Sequence, residues 1–249
     1  MAALTVWLAT LIATPISQWA GLQMFPLMAT LGVMGQASAT LAALSHNWSA
    51  ERISAALMLI SALTWLAEFS GTHTGFPFGN YHYTNALQPQ LGHVPLLIPL
   101  AWFMMLPPAW GVVRLILPER APGLPDRLRF AGLSALAFTA WDLYLDPQMT
   151  DRNLWRWQRS GAYFGIPLVN FLGWWLTAFL ITWVLNPRDL PRHRLALIYS
   201  LTWWFQAVGL GIFWKRPGPA LFGALGMGAF VWLAWRKEAR RWRLCSSGR

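Results

Sequence analysis

Apolar residues gather into roughly eight runs along the chain, beginning near Ala3, Gln23, Arg52, Val94, Leu128, Gly165, His193 and Pro219. A bilayer's hydrocarbon core takes about 20 consecutive apolar residues in a helix, so this pattern predicts about eight transmembrane helices. The runs nearly fill the 249 residues. The expected fold is an all-α, polytopic integral membrane helical bundle, a single membrane-embedded domain over 1–249 with no room for a soluble one. No Lys or Arg precedes Arg52, so the first run lacks the basic segment of a cleaved signal and reads as a retained helix.

Two polar, aromatic segments interrupt the pattern: "GTHTGFPFGNYHYT" at 71–84 and "DLYLDPQMTDRNLWRWQRSGAYFGIP" at 142–167. With eight spans, both fall on one face of the membrane, as a site built from separate loops requires. In the first, Gly71, Gly75, Pro77 and Gly79 predict a tight non-helical path, tolerated at membrane depth only where it is buried in protein or lines a cavity. It displays Phe76, Phe78, Tyr81 and Tyr83, whose faces can stabilise a passing cation; the alternative is an interfacial aromatic belt.

Composition agrees with a membrane chain: 56% hydrophobic residues, 11% charged, mean hydropathy +0.39. Cys245 is the sole cysteine, which excludes an intrachain disulfide and a thiolate metal cluster. The net charge of +10 does not point to nucleic acid, because fourteen of the 19 basic residues fall on the face opposite the two polar segments. That asymmetry predicts a multi-pass protein of the cytoplasmic membrane with both termini in the cytoplasm. The basic tail 236–249, with "RKEARRWR", meets anionic headgroups and fixes topology. Against this bias, "WRWQRS" carries Arg156 and Arg159 on the less basic face, and reads as an interfacial or site-lining segment.

Carboxylates are scarce, so those at membrane depth carry weight: Glu68, Asp142 and Asp146. An acid in hydrocarbon marks a functional site or a buried pair; the bland alternatives are partnership with Arg156 or Arg159, or helix capping. Asp142 and Asp146 are one helical turn apart on one face, and two carboxyls so close in a poorly solvated place do not both ionise. One is expected to be a neutral acid able to give up a proton. Pro147 predicts that the span ends near Asp146. The histidines form no HxxxH or HxxHH box; convergence of His73, His82 and His93 on a metal is the weak alternative, and no metal site is expected. No GxSxG, DDxxD or nucleotide-binding glycine loop occurs.

"GFPFGNYHYT", "LGHVPLLIPLAWFMM", "WDLYLDPQM" and "GAYFGIPLVNFLGWW", in this order between about Glu68 and Trp175, resemble the membrane proteins of carotenoid biosynthesis that include the carotenoid 1',2'-hydratases and bisanhydrobacterioruberin hydratases. The resemblance implies a cofactor-independent addition of water across the terminal 1',2' double bond of an acyclic or monocyclic C40 carotene, of the lycopene or γ-carotene type. The product is a tertiary alcohol. Carotene, water, the bilayer and other enzymes of the same pathway are the implied partners, and nucleic acid is not one. Protonating a trisubstituted alkene needs a placed acid, for which Asp142 or Asp146 is expected, with Glu68 in reserve. The cation would rest against Tyr81, Tyr83 or Trp141, and the water would be held by the partner carboxylate, His82 or Asn80. Phe76, Phe78, Tyr144, Tyr163 and Asn170 complete the expected substrate-binding set. Two other classes remain: a transporter or lipid-binding protein with intramembrane carboxylates, and an oxygen-dependent carotenoid hydroxylase.

Overall fold

The computed structural model describes residues 2–21, 24–117 and 123–247. Gln23, Arg120 and Arg249, counted in the sequence pattern, lie outside them. The eight apolar runs become eight helices: α1 Ala2–Trp19, α2 Phe25–Leu44, α3 Ala50–Thr74, α4 Leu97–Ile116, α5 Leu124–Asp151, α6 Leu168–Leu185, α7 Arg192–Val208 with a π-helical turn Gly209–Phe213, and α8 Pro217–Ser247. Six of the eight, all but α1 and α5, are long and apolar enough to cross a membrane. The α5 helix falls short because it carries Asp126, Arg127, Arg129, Asp142, Asp146 and Asp151.

α4 is the axle of the all-α membrane bundle. Its span is 89% buried, and a helix apolar all round belongs inside a bundle rather than at its edge. α7 packs so closely against it that a Cβ on Gly111 would stand 2.3 Å from the Leu195 Cβ, the close backbone approach that small residues permit between membrane helices. Pro107 and Pro108 sit inside α4. A proline removes the hydrogen bond to the carbonyl four residues back, here those of Phe103 and Met104. The Met104 carbonyl instead accepts from the Thr40 hydroxyl of α2 at 2.9 Å and from Gln36 Nε2 at 3.4 Å. In hydrocarbon such a replacement partner is what makes a helical proline tolerable.

The same device corrects the expected end of α5. The helix does not stop near Asp146 but runs through Pro147 to Asp151. The carbonyl that Pro147 leaves without its helical donor is that of Leu143, and the Tyr163 hydroxyl donates to it at 2.9 Å. Tyr163 thus props the helix that carries both aspartates. Tyr163→Phe should strand that carbonyl, at a cost of about 1–3 kcal/mol. Thermal unfolding in detergent should show a lower midpoint.

The two polar segments meet. β1 (Tyr81–Tyr83), from the α3–α4 connection, pairs antiparallel with β4 (Trp155–Trp157), from the α5–α6 connection, in the register Tyr81 with Trp157, His82 with Arg156 and Tyr83 with Trp155. A second short pair joins β2 (Gln90–Leu91) to β3 (Val94–Pro95). Gly71 belongs to the last turn of α3, not to the loop as the sequence suggested. α3 stops at Gly75, whose φ of +79° is left-handed and whose N–H donates to the Gly71 carbonyl. The chain then drops Phe78 between two helices at their glycines: a Cβ on Gly71 would lie 2.8 Å from the Phe78 ring, and one on Gly173 of α6 would lie 2.6 Å from the Pro77 carbonyl oxygen.

Candidate active site

β1 has alternating faces, as any strand does. Tyr81 and Tyr83 turn inward and His82 outward. Inside, both phenols reach Glu68 of α3: the Tyr83 hydroxyl donates to Oε2 at 2.8 Å, and the Tyr81 hydroxyl donates to the same oxygen. Burial first, and the Glu68 carboxyl second, push both phenols well above the usual range, so they serve as donors.

Opposite Glu68, α5 brings Asp142 and Asp146, 0% and 2% exposed. One amide ties them together: Asn170 Nδ2 of α6 donates to Asp142 Oδ2 at 2.8 Å and also to Asp146 Oδ2. The Trp155 indole donates to the other Asp146 oxygen at 3.1 Å. Asp142 Oδ1 has no partner among the described residues. Nor does any Lys or Arg there pair with Glu68, Asp142 or Asp146. Arg156, one cation offered by the sequence, donates instead to Asn153.

Glu68 and Asp146 face each other across a cavity of about 30 Å³, walled by Tyr81, Tyr83, Trp102, Trp155, Trp174 and Leu145 among others. A space of this size takes one or two waters. The aromatic wall is continuous, with Trp102 and Trp174 stacked at 4.9 Å and Tyr83 edge-on to Trp155 at 5.7 Å. An enclosed site with two carboxyls, no cation and aromatic faces can donate a proton, hold a water and stabilise a carbocation.

Of the residues singled out in the sequence, Glu68, Asp146, Tyr81, Tyr83, Phe78 and Asn170 line this cavity, and Asp142 stands behind, joined through Asn170. Others are elsewhere. His82 is exposed by the strand's alternation, Asn80 is exposed just before it, and Phe76 is 66% exposed at the loop tip. Trp141 faces a different cavity, between α1, α2, α5 and α7. The Tyr144 hydroxyl donates to the Trp203 carbonyl at 3.2 Å and that of Tyr163 to Leu143, so neither phenol points at the acids. The rings of His73 and His93 approach to 6.1 Å, and among the described residues no three His, Cys, Asp or Glu side chains converge to hold a metal. Trp102, Trp155 and Trp174 escaped notice as individual residues. Only "WRWQRS", read as interfacial or site-lining, held a signal: Trp155 and Trp157 line the cavity, while Arg156 between them points out.

Residues 24–230, which include every wall of this cavity, match the family described as carotenoid biosynthesis protein. The chain belongs to the carotenoid biosynthesis protein family. A curated relative, bisanhydrobacterioruberin hydratase of Haloarcula japonica, is 33% identical over 128 residues. That alignment covers 51% of this chain and 42% of the relative, so less than half of the relative's length is spanned. No solved structure matches.

Proposed function

We propose that this carotenoid biosynthesis protein is a hydratase that adds water across the terminal 1',2' double bond of an acyclic or monocyclic carotene, without a cofactor. The observation that carries the reading is the pair Glu68 and Asp146, buried without a cation and facing one water-sized, aromatic-walled cavity. The resemblance to a named hydratase supports the reaction class.

Asp146 is the proton donor. Its proton goes to the less substituted alkene carbon, so the positive charge falls on the tertiary carbon, against Tyr81, Trp102 and Trp174. Water held at Glu68 attacks that carbon, the new C–O bond forms, and the departing water proton passes to Glu68. Net, one water is added, and the proton returns from Glu68 to Asp146 before the next turnover. Glu68 suits the base role because Oε2 already accepts two phenol O–H groups, which leaves Oε1, with the Trp102 indole beside the carboxyl, to take the water. Asn170 positions Asp146 and Asp142 by donating to both, and Asp142 shares the proton of Asp146.

The deciding experiment uses the chain expressed in a host that accumulates lycopene, with pigment mass read in ordinary and in ¹⁸O-labelled water. Gain of one water bearing the label supports hydration. Label taken from oxygen gas would move the protein to oxygenation, and unaltered lycopene retained by the purified protein would favour a lipid-binding role.

We further propose that the cavity lies at the non-cytoplasmic end of the bundle, with Arg152, Arg156, Arg159, Lys215 and Arg216, a reading that the charge bias supports. With Cys245 as sole cysteine, an impermeant maleimide should label the chain in inverted inner-membrane vesicles and not in intact spheroplasts. The reverse result would invert the assignment.

A further inference from the structure

The acid cavity, at about 30 Å³, cannot hold the isopropylidene end of a carotene as it stands. A second cavity of about 100 Å³ lies between α1, α2, α5 and α7. Leu145 lines both cavities, so one side chain of α5 is the wall they share. The second cavity is bounded chiefly by apolar groups such as Leu11, Met28 and Val33. Its α2 wall is half-open: Phe25, Met28 and Ala29 are only partly buried, on a helix apolar enough to cross a membrane. A hydrocarbon dissolved in the bilayer therefore has a sideways approach. At Gln148 and Trp214 this cavity adjoins a third, about 170 Å³, bordered by Asp151, Arg152 and Arg216, which gives the groove one polar end.

The groove also contains polar atoms that a bare hydrocarbon does not use. The indole N–H groups of Trp7 and Trp141 and the Oε1 atoms of Gln148 and Gln206 are buried with no partner among the described residues. Trp141 is 1% exposed and Gln148 6%. Such groups are costly to leave unmet. Two donors and two acceptors match a hydroxyl, which both gives and takes a hydrogen bond; they match neither a carboxylate nor an ammonium, which would each leave half the set unmet.

We propose that this groove seats the isoprenoid end of the polyene, that Leu145 is the gate through which the terminal double bond reaches Asp146, and that the unmet polar atoms receive the tertiary alcohol as it leaves. The proposal rests on the hydratase reading for the identity of the alcohol. The groove's apolar length, its opening toward the bilayer and its shared wall with the acid cavity stand without it.

The test is a steric block. Gly32 of α2 lines the groove, and a Cβ built there meets nothing within 4 Å. Met28 lies one turn earlier on the same face. Full-length Gly32→Phe and Met28→Trp are each compared with Gly132→Phe, the same bulk at a glycine of α5 that also has open space around it and lines neither cavity. Each is made alone and together with Asp146→Asn, in a host accumulating lycopene, and correct folding is checked by thermal unfolding. Either blocking variant that folds should lose at least tenfold in hydrated product and, with Asp146→Asn, should no longer co-purify lycopene, while Gly132→Phe changes neither. Wild-type rates of hydration in the folded blocking variants would overturn the proposal. So would undiminished lycopene retention alongside lost hydration, because the ligand would then sit elsewhere. If the parent chain hydrates nothing yet retains lycopene, and the blocks release it, the groove stands and the hydratase reading falls.

Discussion

Asp146→Asn is expected to lower the rate of the proposed hydration by about 10² to 10⁴-fold, the span that a placed general acid contributes, equivalent to roughly 3–5 kcal/mol of barrier. The asparagine is nearly isosteric and keeps a carbonyl oxygen for the Trp155 indole, so helix α5 and the aromatic wall should hold their places. What disappears is the only carboxyl of the α5 pair that lines the cavity. Asp142→Asn should cost less than Asp146→Asn, because Asp142 does not line the cavity and acts on it through Asn170 and Asp146. The check is the yield of hydrated carotene per unit of membrane-inserted protein, with lycopene retention measured in parallel. Retained lycopene with lost product separates a chemical defect from a binding one. Equal and undiminished product from both variants would remove the aspartates from the reaction.

Glu68→Gln carries the second large effect, a loss of about 10²-fold or more in the same assay. Glutamine's carbonyl can still accept from Tyr81 and Tyr83, so the strand pair need not move, yet an amide cannot take the proton from the attacking water. The cation then has another outcome: the Asp146 carboxylate, having given up its proton, takes one back from the same carbon and regenerates the alkene. Lycopene recovered from Glu68→Gln membranes in heavy water should therefore carry deuterium at the less substituted carbon of its terminal double bonds without gaining a hydroxyl, whereas Asp146→Asn should give neither. Tyr81→Phe, which leaves Glu68 with one phenol of two, should cost roughly 10-fold, in keeping with a hydrogen bond to a charged group. An Asp146→Asn variant that exchanges deuterium as freely as the parent would exchange the roles assigned to the two acids.

Both predictions depend on one feature of the architecture. The acids come from α3 and α5, and neither helix positions its own carboxyl alone. Glu68 is held by β1 and Asp146 by β4, and these two strands are paired with each other. A change at one loop is thereby felt at both acids. Gly173, whose missing Cβ makes way for the Pro77 carbonyl and the Phe78 ring, is part of the same arrangement although it touches neither carboxyl.

What the sequence by itself determined was the kind of molecule and the inventory of its chemistry. Spacing of apolar runs is a local property set by bilayer thickness, so eight helices could be read from it directly, and scarcity made Glu68, Asp142 and Asp146 conspicuous among so few charges. Helix periodicity likewise put the two aspartates on one face. Which of them lines the cavity was decided by tertiary contacts: α6 supplies Asn170 to both, and the cavity opens to Asp146 alone of the pair. Loop membership suggested His82, Asn80 and Phe76, but a strand alternates its faces, and pairing with β4 sent His82 outward while Tyr81 and Tyr83 went in. Pro147 suggested a helix end because local sterics disfavour continuing past it; the hydroxyl of Tyr163, from the α5–α6 connection, met the orphaned Leu143 carbonyl and let α5 run on. The division follows from range. Hydrophobic period, charge and proline act within a few residues and are written along the chain, whereas a cavity is the space left when segments 60 to 100 residues apart come together, and only the folded chain decides where that space lies.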